Sequence, residues 1–469
     1  MNEPKVENET PVKTFSREVK ALLGLSVPII ISQLAQMGMS FTDTVMAGRH
    51  HASSLAGVAI GSSLWIPCFL FLMGLFMAIT PIVAQAWGGH QYAKIKINVQ
   101  QALLLAPLIG VLMMIILQLL ALVFDYMQMD EVARAQAHGY VLAVSFGLPA
   151  LAVFQVLRGL NEGAHFTRPY MLVSLVAVLI NIPLNYIFIY GMFGLPELGG
   201  AGCGWATALV LWLEAGLMLF ITLKNPQLRQ IHWHRRWQGF DRTVIKEIMV
   251  LGSPIGIALL IESSMFSLIA LLLASFGTIV VAGHQVAMSF ISILFMVPLS
   301  VSIALTVRCG FYVGQNQPEL ARSVAIIGFI LTIATAVMFS ATILLFADAI
   351  SSLFSNNPEV RAVAVSLLFF AAAFQISDAL QVVAAGILRG YKDTRYTFKV
   401  VLFAYWGVGL PLGYGLALTE FFGRPYGAQG FWFAMIIGLS LAALLLVLRF
   451  RSISLRQINA HYENANAAS

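Results

Sequence analysis

Residues 26–48 read SVPIIISQLAQMGMSFTDTVMAG. This run is long and apolar, and its single charged residue is Asp43. Crossing the hydrocarbon core of a bilayer takes about 20 residues of helix. The run belongs to the first of twelve such stretches, at 21–47, 54–86, 99–124, 133–157, 169–190 and 200–222, and again at 243–275, 281–313, 322–347, 359–387, 397–419 and 427–449. Composition agrees. Of 469 residues 59% are hydrophobic and 10% charged, with a mean hydropathy of +0.84. A soluble protein of this length needs far more charge to cover its surface. The fold class expected is all-α integral membrane, with about twelve transmembrane helices.

The connections carry polar and turn-forming residues, such as Gly88-Gly89, Asn161-Glu162-Gly163, Gly199-Gly200 and Asn356-Asn357-Pro358. Of the 27 Lys and Arg residues, only Arg49, Arg134, Arg361 and Arg424 fall outside the two tails and the even-numbered loops. Basic residues mark the cytoplasmic side, so both termini are expected there. This distribution accounts for the formal charge of +6 by topology and argues against a nucleic-acid footprint. The first twenty residues are polar and mixed in charge, unlike a signal peptide, so the first apolar run is expected to be retained. Residues 223–241 form the longest loop, whose Trp233 and Trp237 are expected to rest at the headgroup level. Cys68, Cys203 and Cys309 lie in separate apolar segments without ligand spacing and read as packing residues.

The halves match when shifted. Pro28 falls on Pro254, Ala56-Gly57 on Ala282-Gly283, and Gly88 on Gly314. Slightly larger shifts bring Leu157-Arg158-Gly159 onto Leu388-Arg389-Gly390, Pro183 onto Pro411 and Trp205 onto Trp432. The matches keep their order through the chain. The division expected is a tail at 1–20, an N-terminal six-helix lobe at 21–222, a linker at 223–241, a C-terminal six-helix lobe at 242–450 and a tail at 451–469. Each lobe has an even number of spans, so the repeat is parallel. Transporters with such repeats usually bind substrate between the halves.

Four acids interrupt the spans: Asp43, Glu214, Glu262 and Asp378. An ionised group there costs roughly 2.5–3.5 kcal/mol on insertion scales, which makes each one a functional candidate. The repeat pairs Asp43 with Ile269, Glu262 with Gln36, and Asp378 with Gly147. The acids are therefore not part of the shared scaffold. Without a nearby Lys or Arg, such a carboxyl takes a proton, a metal cation or an organic cation, or is protonated and bonded to a neighbouring helix. Glu214 lies nearer a helix end, where the structural role or access to water accounts for it. Asn181 and Asn185, four apart around Pro183, share one helix face. They either complete a polar site with Asp43 or bond helix to helix. His284 reads as a packed histidine or a proton relay. Phosphate-loop, zinc-protease and serine-hydrolase motifs are absent from the sequence, so enzymatic chemistry is not expected.

The run at 26–48, with AGHQVA at 282–287, NIPLNYIFIYG at 181–191 and the LRG segments at 157–159 and 388–390, resembles the multidrug and toxic compound extrusion (MATE) family, NorM-type subgroup. The resemblance covers nearly the whole chain. It implies a multi-pass antiporter of the bacterial inner membrane that exports small organic cations in exchange for sodium ions or protons. It implies no cofactor and a monomer in the lipid bilayer. Family acids match Asp43, Glu262 and Asp378, the last two also as a sodium site. Asn181, Asn185 and Thr207 match polar neighbours of the first acid. Some sodium-coupled members have a tyrosine one turn before the last acid, where this chain has Phe374. The competing reading is a lipid-linked oligosaccharide flippase of the wider superfamily, which is expected to line its cavity with Arg and Lys. The near absence of these residues from the spans favours cationic cargo.

Overall fold

The computed structural model describes residues 11–468, except 236, 238, 422 and 423. The described residues are helical almost throughout, and none forms a strand. In bilayer hydrocarbon every backbone polar group must be satisfied within its own segment, which leaves the helix as the simple solution. The helices are α1 (Pro11–His50), α2 (Ala52–Phe76), α3 (Ile79–Gly88), α4 (Tyr92–Ala121), α5 (Glu131–Ser145), α6 (Leu148–Gly163), α7 (Arg168–Tyr190) and α8 (Gly200–Lys224). They continue with α9 (Arg242–Leu273), α10 (Thr278–Gly314), α11 (Pro318–Phe354), α12 (Pro358–Gly390), α13 (Thr394–Val401), α14 (Leu410–Leu418) and α15 (Ala428–Ala468). Among the described residues eleven helical segments are long and apolar enough to cross a membrane, or twelve when α5 and α6, bent by 42°, are counted as one span.

The helices run past the apolar stretches, for example to Phe15–His50 for the first span and Ala428–Asn466 for the last. Hydropathy marks only the part in the acyl core, while hydrogen bonding carries the helix on into the headgroup layer. One consequence is that Arg158, Arg308 and Arg389, which the sequence places at loops, sit inside helices and are buried.

Chain contacts divide the protein into two compact units. One comprises Pro28–Phe266 and Lys392–Leu402; the other comprises Met1–Val27, Ser267–Tyr391 and Phe403–Ser469. Within the first, α2 packs on α5, α5 and α7 pack on α8, and α6 packs on α4 and α8. Within the second, α12 lies against α10, α11 and α15. The repeat is visible in the closeness of these contacts. A Cβ on Gly57 would stand 2.4 Å from Gln136 Cβ, and one on its repeat partner Gly283 would stand 2.5 Å from Val363 Cγ1. Small residues let helix backbones approach where no hydrophobic effect drives helices together.

The loop at 223–241 departs from expectation at Trp233. Gln100 donates through Nε2 to the carbonyls of Trp233 (2.8 Å) and Arg235 (3.2 Å), and Gln101 does so to Gly239 (2.8 Å). These bonds tie the loop down onto α4. Trp233 is thereby buried at 3% exposure, while Trp237 remains 50% exposed. Of the two indoles, only that of Trp237 is left exposed.

Candidate functional site

Asp43 lies on the part of α1 that belongs to the first compact unit, and it is 9% exposed. Its neighbours come from α7 and α8. Asn185 donates to Asp43 Oδ1 at 2.5 Å and Asn181 to the same oxygen at 3.2 Å. Thr207 donates through Oγ1 to Oδ2 at 3.1 Å. The two amides are themselves linked, Asn185 Nδ2 donating to Asn181 Oδ1 at 3.0 Å. A helix advances about 100° per residue, so positions 181 and 185 fall on one face, and both face Asp43. The residues the sequence grouped are thus together in space.

Every one of these hydrogen-bond donors is neutral. Charge-assisted hydrogen bonds offset part of the desolvation cost of a carboxylate, about 1.5–3 kcal/mol each. They leave its charge in place. Among the described residues no Lys or Arg bonds to Asp43, and Asn185 Oδ1 is buried with no donor of its own. The cluster therefore offers carboxylate and amide oxygens with spare accepting capacity and no fixed cation. Sequence reasoning did not find Cys203, whose Sγ lies 3.7 Å from the Asp43 carbonyl, or the nearby buried Tyr140. Both become neighbours only through α5 and α8.

The other acids fall differently. Glu262 is half-buried on the part of α9 assigned to the same compact unit as Asp43. Asp378 is 5% exposed on α12 in the second unit. One turn earlier on α12, Phe374 packs edge-on against Trp432 at 5.8 Å. Trp432 in turn donates through Nε1 to His284 Nδ1 at 3.2 Å. This bond places the His284 proton on Nε2 and holds the ring at 3% exposure, as a packed histidine. Glu214, for which access to water was one expectation, is 1% exposed on α8, ten positions before its end at Lys224. Among the described residues no group of three or more His, Cys, Asp or Glu is arranged to hold a metal ion.

The buried arginines have local partners. Arg158 donates through Nε to Glu162 Oε1 at 2.7 Å, with its guanidinium 3.9 Å from the centre of the Tyr170 ring. Arg389 donates to Ser302 Oγ at 2.8 Å. Arg308 binds Glu18 through Nη2 at 2.7 and 2.8 Å, and Tyr312 donates to the same carboxylate at 2.6 Å. These charges are tied to protein groups, unlike the lining expected of a pyrophosphate-carrying cavity.

The MatE family profile matches the chain twice, over residues 28–187 and 254–415. The two matches begin at Pro28 and Pro254, the repeat-paired prolines. The chain is 42% identical over 442 residues to "Probable multidrug resistance protein NorM" of Shewanella oneidensis, covering 94% of this chain and 96% of that one. It is 43% identical over 457 residues to "Multidrug resistance protein PmpM" of Pseudomonas aeruginosa, covering 96% of both. In fold it is similar to the eukaryotic MATE transporter AtDTX14, with a TM-score of 0.84, 21% identity and coverage of 96% and 99%. An outward-facing multidrug resistance MATE transporter of the MOP superfamily gives 0.84 at 20% identity, covering 97% of this chain and 100% of the other.

Proposed function

The chain belongs to the MatE family as a NorM-type multidrug efflux transporter, and from that premise we propose that it is an antiporter driven by cation exchange at Asp43. It is a secondary transporter and not an enzyme. The cargo is organic and mostly cationic, the coupling ion is sodium or a proton, and the protein works as a monomer in a bacterial inner membrane with both termini cytoplasmic. No cofactor is required.

The observation that carries this reading is a buried carboxylate held by three neutral donors and by no Lys or Arg among the described residues. Such a charge is costly in low dielectric until a proton, a sodium ion or a cationic substrate balances it. The spare Asn185 Oδ1 supports the same reading, because hard cations take oxygen ligands. Occupants compete. With the site open to the cytoplasm, an organic cation neutralises Asp43. With the site open outside, the coupling ion replaces it. Asn181, Asn185 and Thr207 keep the carboxylate in one geometry for both. Glu262 and Asp378 serve as further carboxylates, each in its own compact unit, that bind the coupling ion or the cargo.

The energetics set what one ion achieves. Moving one charge inward through 100 mV supplies about 2.3 kcal/mol. A tenfold gradient takes about 1.4 kcal/mol. One ion therefore sustains roughly a fiftyfold gradient of neutral cargo. For a monovalent cation exchanged one for one, the electrical terms cancel, and the ion's chemical gradient does the work.

Proteoliposomes test this directly. Efflux of a fluorescent organic cation is followed under an imposed sodium gradient, then under an imposed proton gradient. The reading expects one of the two to drive uphill transport. Equal rates with both gradients abolished would overturn it.

A further inference from the structure

Glu214 stands outside the Asp43 cluster, yet it is the most thoroughly enclosed of the four membrane acids named by the sequence for which burial is resolved, at 1% exposure. It lies fourteen positions into α8, which packs against α2, α5, α6 and α7. No hydrogen bond reaches Glu214 from any described residue, and its Oε1 is fully enclosed without a partner. Buried polar groups are almost always bonded, and a buried carboxylate left alone is among the costliest exceptions.

The charges around it do not balance an ionised carboxylate. The cation whose field reaches Glu214 is Arg158 on α6. That guanidinium is already committed to Glu162 at 2.7 Å and to the face of Tyr170. Tyr170, on α7, is a further titratable group near the acid, and its hydroxyl donates to Gln33 Oε1 at 2.8 Å. From α5, Tyr140 sits beside Asp43 and Cys203, and His138 bonds Asp125 at 3.1 Å. The described part of α2 carries no acid or base other than the Cys68 thiol. One cation thus faces two buried carboxylates. The local charge closes with one added positive charge.

We propose that Glu214 is a second exchangeable-proton site of this compact unit, separate from Asp43 and set beside the Arg158–Glu162 pair and Tyr170. The repeat supports a dedicated role, since the position matching Glu214 at the Trp205–Trp432 shift is Leu441. Its use in transport rests on the ion-coupled reading above, but its proton is measurable without transport.

Infrared difference spectra of the purified, detergent-solubilised protein are recorded as pH is stepped, in H2O and in D2O. Carbon-13 labelling of glutamate separates glutamic from aspartic acid bands and so removes Asp43 and Asp378 from consideration. The proposal expects a protonated glutamic acid carbonyl band that responds to pH and shifts in D2O, and that is lost in Glu214→Gln while the Asp43 band stays. Should Glu214→Gln fail to fold, Glu214→Asp moves the same band out of the glutamate-labelled set. A spectrum in which neither variant removes a glutamic acid band overturns the proposal. So does a band indifferent to both pH and D2O. Loss of transport in Asp43→Asn with the Glu214 band intact separates this site from the coupling site.

Discussion

Glu18→Leu removes one partner from the most enclosed ion pair described in the second unit. Glu18 is 1% exposed and Arg308 3%. Two Arg308 Nη2 contacts of 2.7 and 2.8 Å, an Nε contact of 3.2 Å and the Tyr312 hydroxyl at 2.6 Å hold the carboxylate. Taking away one member of such a pair leaves an uncompensated charge and costs about 3–5 kcal/mol. Arg308→Met is the milder change, because Arg17 Nε lies 3.5 Å from Glu18 and is 27% exposed, so it retains part of the compensation. Replacing both partners with apolar residues of similar volume removes the charges together and is often near neutral. Tyr312→Phe added to the double variant avoids an orphaned hydroxyl worth about 1–3 kcal/mol. Equilibrium unfolding of purified protein in mixed micelles, titrated with a denaturing detergent, orders the variants. The expected loss is largest for Glu18→Leu, smaller for Arg308→Met and smallest for the triple variant. The reasoning is refuted if each single variant stays within about 0.5 kcal/mol of the parent, as a solvent-exposed pair does.

Close helix approach predicts that Gly283→Val, whose Cβ meets Val363 Cγ1 at 2.5 Å, costs about 1–3 kcal/mol and lowers the folded fraction on size exclusion. Gly216→Ala, with nothing within 4 Å, leaves that fraction unchanged or slightly raised. The proposed orientation predicts that Tyr126→Cys, at a position 88% exposed, is labelled by an impermeant maleimide in intact cells, while Trp237→Cys is labelled only after permeabilisation. Background is low because Cys68, Cys203 and Cys309 are buried. Since Trp432 fixes His284 in place, His284→Gln is expected to lower thermal stability without moving the pH profile of efflux; a proton relay moves the profile.

The spans were legible because the acyl core imposes a length and a polarity that hydropathy reports directly. Their ends were not, since helix hydrogen bonding continues into the headgroup layer. That is why Arg158, Arg308 and Arg389 read as loop charges and are buried in helices. In the site, Asn181 and Asn185 were legible from their spacing of four, whereas Thr207 came only through the family resemblance, because nothing local brings α8 to α1. Glu18 and Arg308 lie 290 positions apart, and no sequence pattern pairs them. Trp233 misled because an indole beside arginines is the usual headgroup signal; the carbonyls bonded by Gln100 and Gln101 decide its position instead. Glu214 stayed open because its distance from a helix end says nothing about how the helices around α8 bury it.

Asp43→Asn keeps the size of the side chain and removes the charge that a cation must balance. Purified variant and parent are compared in proteoliposomes for gradient-driven efflux of a fluorescent organic cation, after each is shown to be folded by size exclusion. An account built on that carboxylate expects the variant to lose uphill transport under either ion gradient. Efflux by the variant at the parent's rate and to the parent's final gradient contradicts it.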